Sequence, residues 1–129
     1  MNVIEVENQY YILASSSLSD NRTEVLKHGE TFGVFDLHGD IYQIGQNALG
    51  IYHEGTRFLS GFELNIEGQR ALLLSSNKSE NNEIHAVDLT NPDFFDKTGE
   101  MVLRGTIHIL RNKFLLDAVV YERLRFINF

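Results

Sequence analysis

Apolar positions in this chain recur at a spacing of two, in short runs broken by turn-formers, which is the period of β-strands. "YYILAS" (Tyr10 to Ser15) predicts a first strand. The polar stretch "SSSLSDNRTEV" follows. Asn21 and Glu24 have the spacing of a helix capping box, but Val25 and Leu26 lead at once into the turn "KHGE". Phe32, Val34 and Asp36 alternate with Gly33 and Phe35, "HGD" (His38 to Asp40) supplies a turn, and Ile41, Tyr42 and Ile44 resume the extended pattern. "FLSGFELNI" places Phe58, Ser60, Phe62, Leu64 and Ile66 on one face before a turn at Glu67-Gly68, and "RALLLSSN" returns. "IHAVDLT" is a further strand, and "NPDFFDKTGE" a loop begun by Asn91-Pro92. "MVLRGTIHILR" and "FLLDAVVYERLRFINF" read as two closing strands joined by a turn at Asn112-Lys113. In the second of them, Val120, Leu124 and Phe126 share a face with Glu122. Turn signals every ~8–12 residues predict an all-β, antiparallel sandwich or barrel, with residues 1–129 forming one domain. The apolar strand pattern runs to Phe129, so the expectation is a sandwich truncated at its C-terminal end and cut from a larger protein.

Composition narrows the partners. With 43% apolar and 22% charged residues the chain has the makeup of a globular domain. A net charge of −7 disfavours nucleic acid and the anionic membrane surface. The absence of cysteine excludes disulfides, thiol nucleophiles and thiolate metal sites. Glu5 and Glu7 stand where a signal peptide needs positive charge, and no apolar run approaches the ~18 residues of a membrane span. The resulting expectation is a cytoplasmic protein.

Three groups of residues could carry chemistry. Tyr52, His53, Glu54, Thr56 and Arg57 crowd around Gly55. They read either as a base, an acid and an anion clamp, or as a tight Glu54-Gly55 turn with Arg57 pairing locally with a carboxylate, and the spacing favours the turn. Asp36 and Asp40 are a carboxylate pair of the kind glycoside hydrolysis uses, though across a hairpin such pairs more often satisfy backbone amides and solvent. Tyr42, Tyr52 and Tyr121 are the more exposed aromatic candidates for a sugar platform. The five histidines form no HxH or HExxH pattern, no serine lies in GxSxG, and "GQNALG" lacks the lysine of a phosphate loop. No cofactor and no metal are expected.

The blocks "LKHGETFGVFDLHGDI", "GIYHEGTRFLSGFELNIEG", "LLLSSN", "NNEIHAVDLTNPD" and "RGTIHILRNKFLLDAVVYERLRFIN", in this order, carry a resemblance. The chain resembles, from about Tyr10 to Asn128, the N-terminal domain of bacterial glycogen-debranching-enzyme-like proteins, the amylo-α-1,6-glucosidase group. The resemblance implies a supersandwich-like fold that precedes a catalytic (α/α) toroid acting on α-glucans. It implies a non-catalytic accessory domain whose partner is the toroid of the same parent chain. Tyr52, His53, Glu54, Arg57, Asp36 and Asp40 are then candidates to face that domain or a sugar. A free-standing carbohydrate-binding module is the alternative. Unpaired strand edges would also let an isolated fragment self-associate.

Overall fold

The computed structural model describes residues 22–42, 48–79, 81 and 83–128, together with the backbone of 3–6 and 9–12. The polar stretch from Ser15 to Asn21 and the first half of "GQNALG" lie outside the described residues. Among the described residues there is no helix, and all strand pairing is antiparallel. One sheet has six strands in the order β1 (Val3–Val6), β2 (Gln9–Ile12), β9 (Leu72–Lys78), β10 (Ile84–Thr90), β13 (Ile107–Leu116) and β14 (Val119–Asn128). A second has four, β3 (Glu24–His28), β4 (Thr31–Phe35), β5 (Gly50–His53) and β6 (Thr56–Leu59). Two short hairpins complete the fold: β7 (Asn65–Ile66) with β8 (Gln69–Arg70), and β11 (Phe94–Phe95) with β12 (Met101–Val102). The fold is all-β and sandwich-like, as the period-two pattern predicts.

Two apolar clusters join the layers. Leu26, Phe35, Ile41, Leu49 and Ile51 meet Leu115 of the larger sheet. Ala71, Leu73, Val87, Leu89 and Ile109 form the second, covered by Leu37, Leu64 and Ile66. Each fully buried aliphatic or aromatic side chain contributes roughly 1.5–3 kcal/mol.

Two local readings need correction. The turn placed at Asn112-Lys113 is mid-strand. Asn112 pairs with Ala86 on one side and Arg123 on the other, and the reversal comes at Asp117-Ala118. The face from Phe58 to Ile66 is also broken. β6 stops at Leu59, Phe62 makes a single bridge to Ile41, and it is Leu59, from the opposite phase, that packs on the core. Phe58 is left exposed. The main-chain pairing of Phe62 with Ile41 overrides the apolar alternation there.

The Asp117-Ala118 turn has φ of 50° and 62°, a left-handed conformation that costs a non-glycine residue. Replacing Ala118 with glycine removes the Cβ clash but adds unfolded-state entropy. The expected net gain is about 0.5–1 kcal/mol. Urea unfolding measures it, and an Ala118→Gly protein no more stable than the parent would show the turn to be unstrained.

Candidate functional site

β4 delivers the chain into "DLHGD", and the turn is built by its own first carboxylate. Asp36 Oδ1 accepts the amides of His38 and Asp40, each at 3.0 Å, and Gly39 takes φ of 83°. This presents both carboxylates inward. Asp36 Oδ2 and Asp40 Oδ2 share Arg70 Nη2, at 2.6 and 3.0 Å. Asp40 Oδ1 accepts the Leu64 amide at 3.1 Å and also Arg111 Nη1. From the facing sheet Arg111 further donates to the His38 carbonyl at 2.9 Å and, through Nε, to Glu122. Lys113 donates to the Gly39 carbonyl, with its ammonium 4.7 Å from the centre of the Phe35 ring. Glu122, on β14 directly across from Lys113, lies 3.8 Å from its nitrogen.

Asp40, Arg111 and Lys113 are each 1% exposed. Buried charges of this kind persist only when paired and hydrogen-bonded. Burial works against the charge of Arg111, yet Asp40 and Glu122 hold it protonated above its ordinary range. Burial, then the neighbouring Arg111, drives Lys113 down from 10.5 to about 7. Three carboxylates therefore face two fixed cations and one lysine whose proton is easily lost.

Two histidines border the network. His38 Nε2 donates to the Ala71 carbonyl at 3.0 Å, and burial, then Arg70, lowers its pKa. His85 Nε2 meets Ser76 Oγ at 2.8 Å while its buried Nδ1 has no hydrogen-bond partner among the described residues. Burial, then Lys113 and Arg111, lowers His85 from 6.5 to about 4. The unfolded chain takes up this proton near pH 6.5, the folded protein only near 4. The stability contributed by neutral His85 is thus complete above 6.5 and is lost as pH falls toward 4, by about 3 kcal/mol. The difference in unfolding free energy between the parent and His85→Leu should shift by that amount across this window. A constant difference would show that the ring titrates normally.

The second cluster is a hairpin end. Glu54-Gly55, with φ of 50° and 82°, turns β5 into β6. Tyr52 stacks on Phe32 at 4.6 Å between ring centres and donates to the Ala48 carbonyl. His53 Nδ1 meets Thr31 Oγ1 at 2.7 Å, and its Nε2 lies 3.8 Å from the exposed Glu54 carboxylate. Arg57 Nη1 donates to the Leu49 carbonyl at 3.3 Å. The Arg57 stem lies over Gly50, where a Cβ would come within 2.6 Å of its Cδ and 2.8 Å of the Leu59 carbonyl oxygen. The tight turn is as expected, but where the sequence predicts a carboxylate as the partner of Arg57 the structure gives it the Leu49 carbonyl.

The structure thus brings Asp36 and Asp40 together but not with Tyr52, His53, Glu54 or Arg57. Asp40 is interior, which differs from the outward position expected of it. Arg70, Arg111, Lys113 and Glu122 were missed. The available signal was phase, because Ile109, Arg111, Lys113 and Leu115 share one face of a strand, and two of them belong to the apolar core. Among the described residues no group of three or more His, Asp or Glu could hold a metal ion.

No curated protein and no solved structure matches the chain. A family model described as the N-terminal domain of (some) glycogen debranching enzymes matches residues 26–129. The matched span takes in the charged hairpin, the Tyr52–Arg57 turn and the closing strands, and the chain belongs to this family of glycogen-debranching-enzyme N-terminal domains.

Proposed function

We propose that this domain is a non-catalytic accessory sandwich of a cytoplasmic debranching enzyme of the amylo-α-1,6-glucosidase type. It packs against the catalytic (α/α) toroid of its parent chain and helps to shape that cleft. One observation carries the docking. Leu124 and Phe126 stand on the core-facing side of β14, directly across from Arg111 and Ile109. Arg111 and Ile109 are 1% and 0% exposed, whereas Leu124 and Phe126 are 40% and 59% exposed. The second sheet covers β13 and the start of β14, where Val120 packs on the core and Glu122 is tied to Arg111, but leaves Leu124 and Phe126 open, so an apolar pair continuous with the core awaits a neighbour. The family supplies that neighbour, the rest of a debranching enzyme.

The absence of catalysis rests on the carboxylates. Asp36 and Asp40 share one guanidinium, and a buried, paired carboxylate is a poor nucleophile or general acid for a sugar. The test is to mix the purified chain with a separately expressed debranching-enzyme toroid of this family. A complex should form, and Phe126→Asp should abolish it. The chain alone should release no glucose from α-1,6-branched dextrin. Glucose release by the chain alone, or a complex indifferent to Phe126→Asp, would refute the reading. In the isolated chain the open edge of β14 also offers a pairing site for a second copy, which sedimentation at rising concentration reports.

A second reading, a carbohydrate-binding module for α-glucan, is favoured by the exposed Phe114 and Tyr121 rings, stacked with centres 5.0 Å apart on the opposite face of the same hairpin.

A further inference from the structure

A cleft of about 380 Å³ opens beside the Asp117-Ala118 turn. Phe114, Leu116 and Ile84 give it apolar walls, while Lys27, His28 and Glu83 supply polar ones. We propose that this cleft binds a pyranose ring of an oligosaccharide.

Such a ring has an apolar C–H face and a rim of hydroxyls that both donate and accept. Phe114 can meet the face. It is 39% exposed, one face of its ring is stacked within 14° of parallel on its cross-strand neighbour Tyr121, and the cleft lies on its other side, toward Ile84. An aromatic surface held in this way loses little freedom on binding.

The rim chemistry is also matched. His28 Nδ1 accepts the Asp117 amide at 3.1 Å, which leaves the ring proton on Nε2 as a donor. Lys27 adds an ammonium donor and Glu83 a carboxylate acceptor. The backbone of Glu83 is pinned by Ser79 Oγ at 3.1 Å. Facing charges of both signs disfavour a simple anion or cation and suit a neutral polyhydroxylated ligand. The volume falls in the range of small-ligand clefts, roughly 300–1,000 Å³. The left-handed Asp117 and Ala118, held by the bond to His28, are the kind of constrained backbone found next to binding sites. The choice of an α-linked glucan rests on the function proposed above, whereas the fit to a pyranose does not.

The experiment is amide chemical-shift titration of the 129-residue protein with maltoheptaose, and with cellohexaose as the β-linked control. Maltoheptaose should perturb residues 27–28, 83–84 and 114–121. Phe114→Ala should weaken binding by about tenfold. The Lys27→Ala, Glu83→Ala double variant should weaken it as well, with spectral dispersion reporting that each variant is folded. No perturbation by either oligosaccharide overturns the proposal. So do shifts centred on Leu124 and Phe126, or affinity unchanged in both variants. A response to cellohexaose alone upholds the cleft and overturns the α-glucan reading.

Discussion

Replacing Arg111 with methionine should cost about 3–5 kcal/mol of unfolding free energy, a large fraction of what a domain this size possesses. The guanidinium joins three elements at once. It contacts Asp40 and the His38 carbonyl in the turn, and Glu122 on β14. Without it, Asp40 stays buried with Arg70 as its remaining cation. The desolvation of a carboxylate left with one of its two cations, more than the lost attraction, sets the size of the effect. Adding Asp40→Asn to Arg111→Met should therefore recover part of the loss, giving a double-mutant cycle with clear coupling. Denaturant midpoints at constant slope measure all four corners. A single-variant loss below about 1 kcal/mol would match an exposed pair and show that water reaches Asp40.

Stability should also rise with pH from about 7 to 10.5, by up to about 5 kcal/mol, and Lys113→Met should remove this rise. The unfolded chain keeps the lysine proton up to about 10.5, but the folded protein releases it near 7. Below pH 7 both states hold the proton, and folding bears the full cost of the buried ammonium. Above it the folded state sheds that cost, and the neutral amine still donates to the Gly39 carbonyl. Chemical unfolding at pH 6, 8 and 10 decides the matter. Parallel curves for the parent and Lys113→Met would mean that Lys113 stays charged in the fold.

What could be read in the sequence was what short range determines. Glu54-Gly55, Glu67-Gly68 and the Gly39 turn were legible because a left-handed backbone needs glycine, and glycine announces itself. The strand character of "IHAVDLT" was legible from composition and flanking turns. The end of β13 was not. Asn112 and Lys113 look like turn residues locally, and only partners far along the chain make a lysine tolerable in a core. The fate of Asp36 and Asp40 was hidden in the same way, because the cations that draw them inward lie on β8 and β13. The exposed cleft residues Lys27, His28 and Glu83 carry no motif at all. Their meeting with Phe114 depends on how the second sheet lies on the first.

The separation of those partners has a consequence for synthesis. Asp40 leaves the ribosome 71 residues before Arg111, which at ordinary elongation rates is roughly 4–14 s. During that interval the early hairpins can pair, but the sandwich cannot close over an uncompensated Asp40. Closure must wait for β13. Apolar strands such as β4 and β9 therefore spend those seconds uncovered, when association with a neighbouring nascent chain competes with folding. A chaperone acting on this domain would be needed most while residues 41–110 are out and the final hairpin is still in the tunnel.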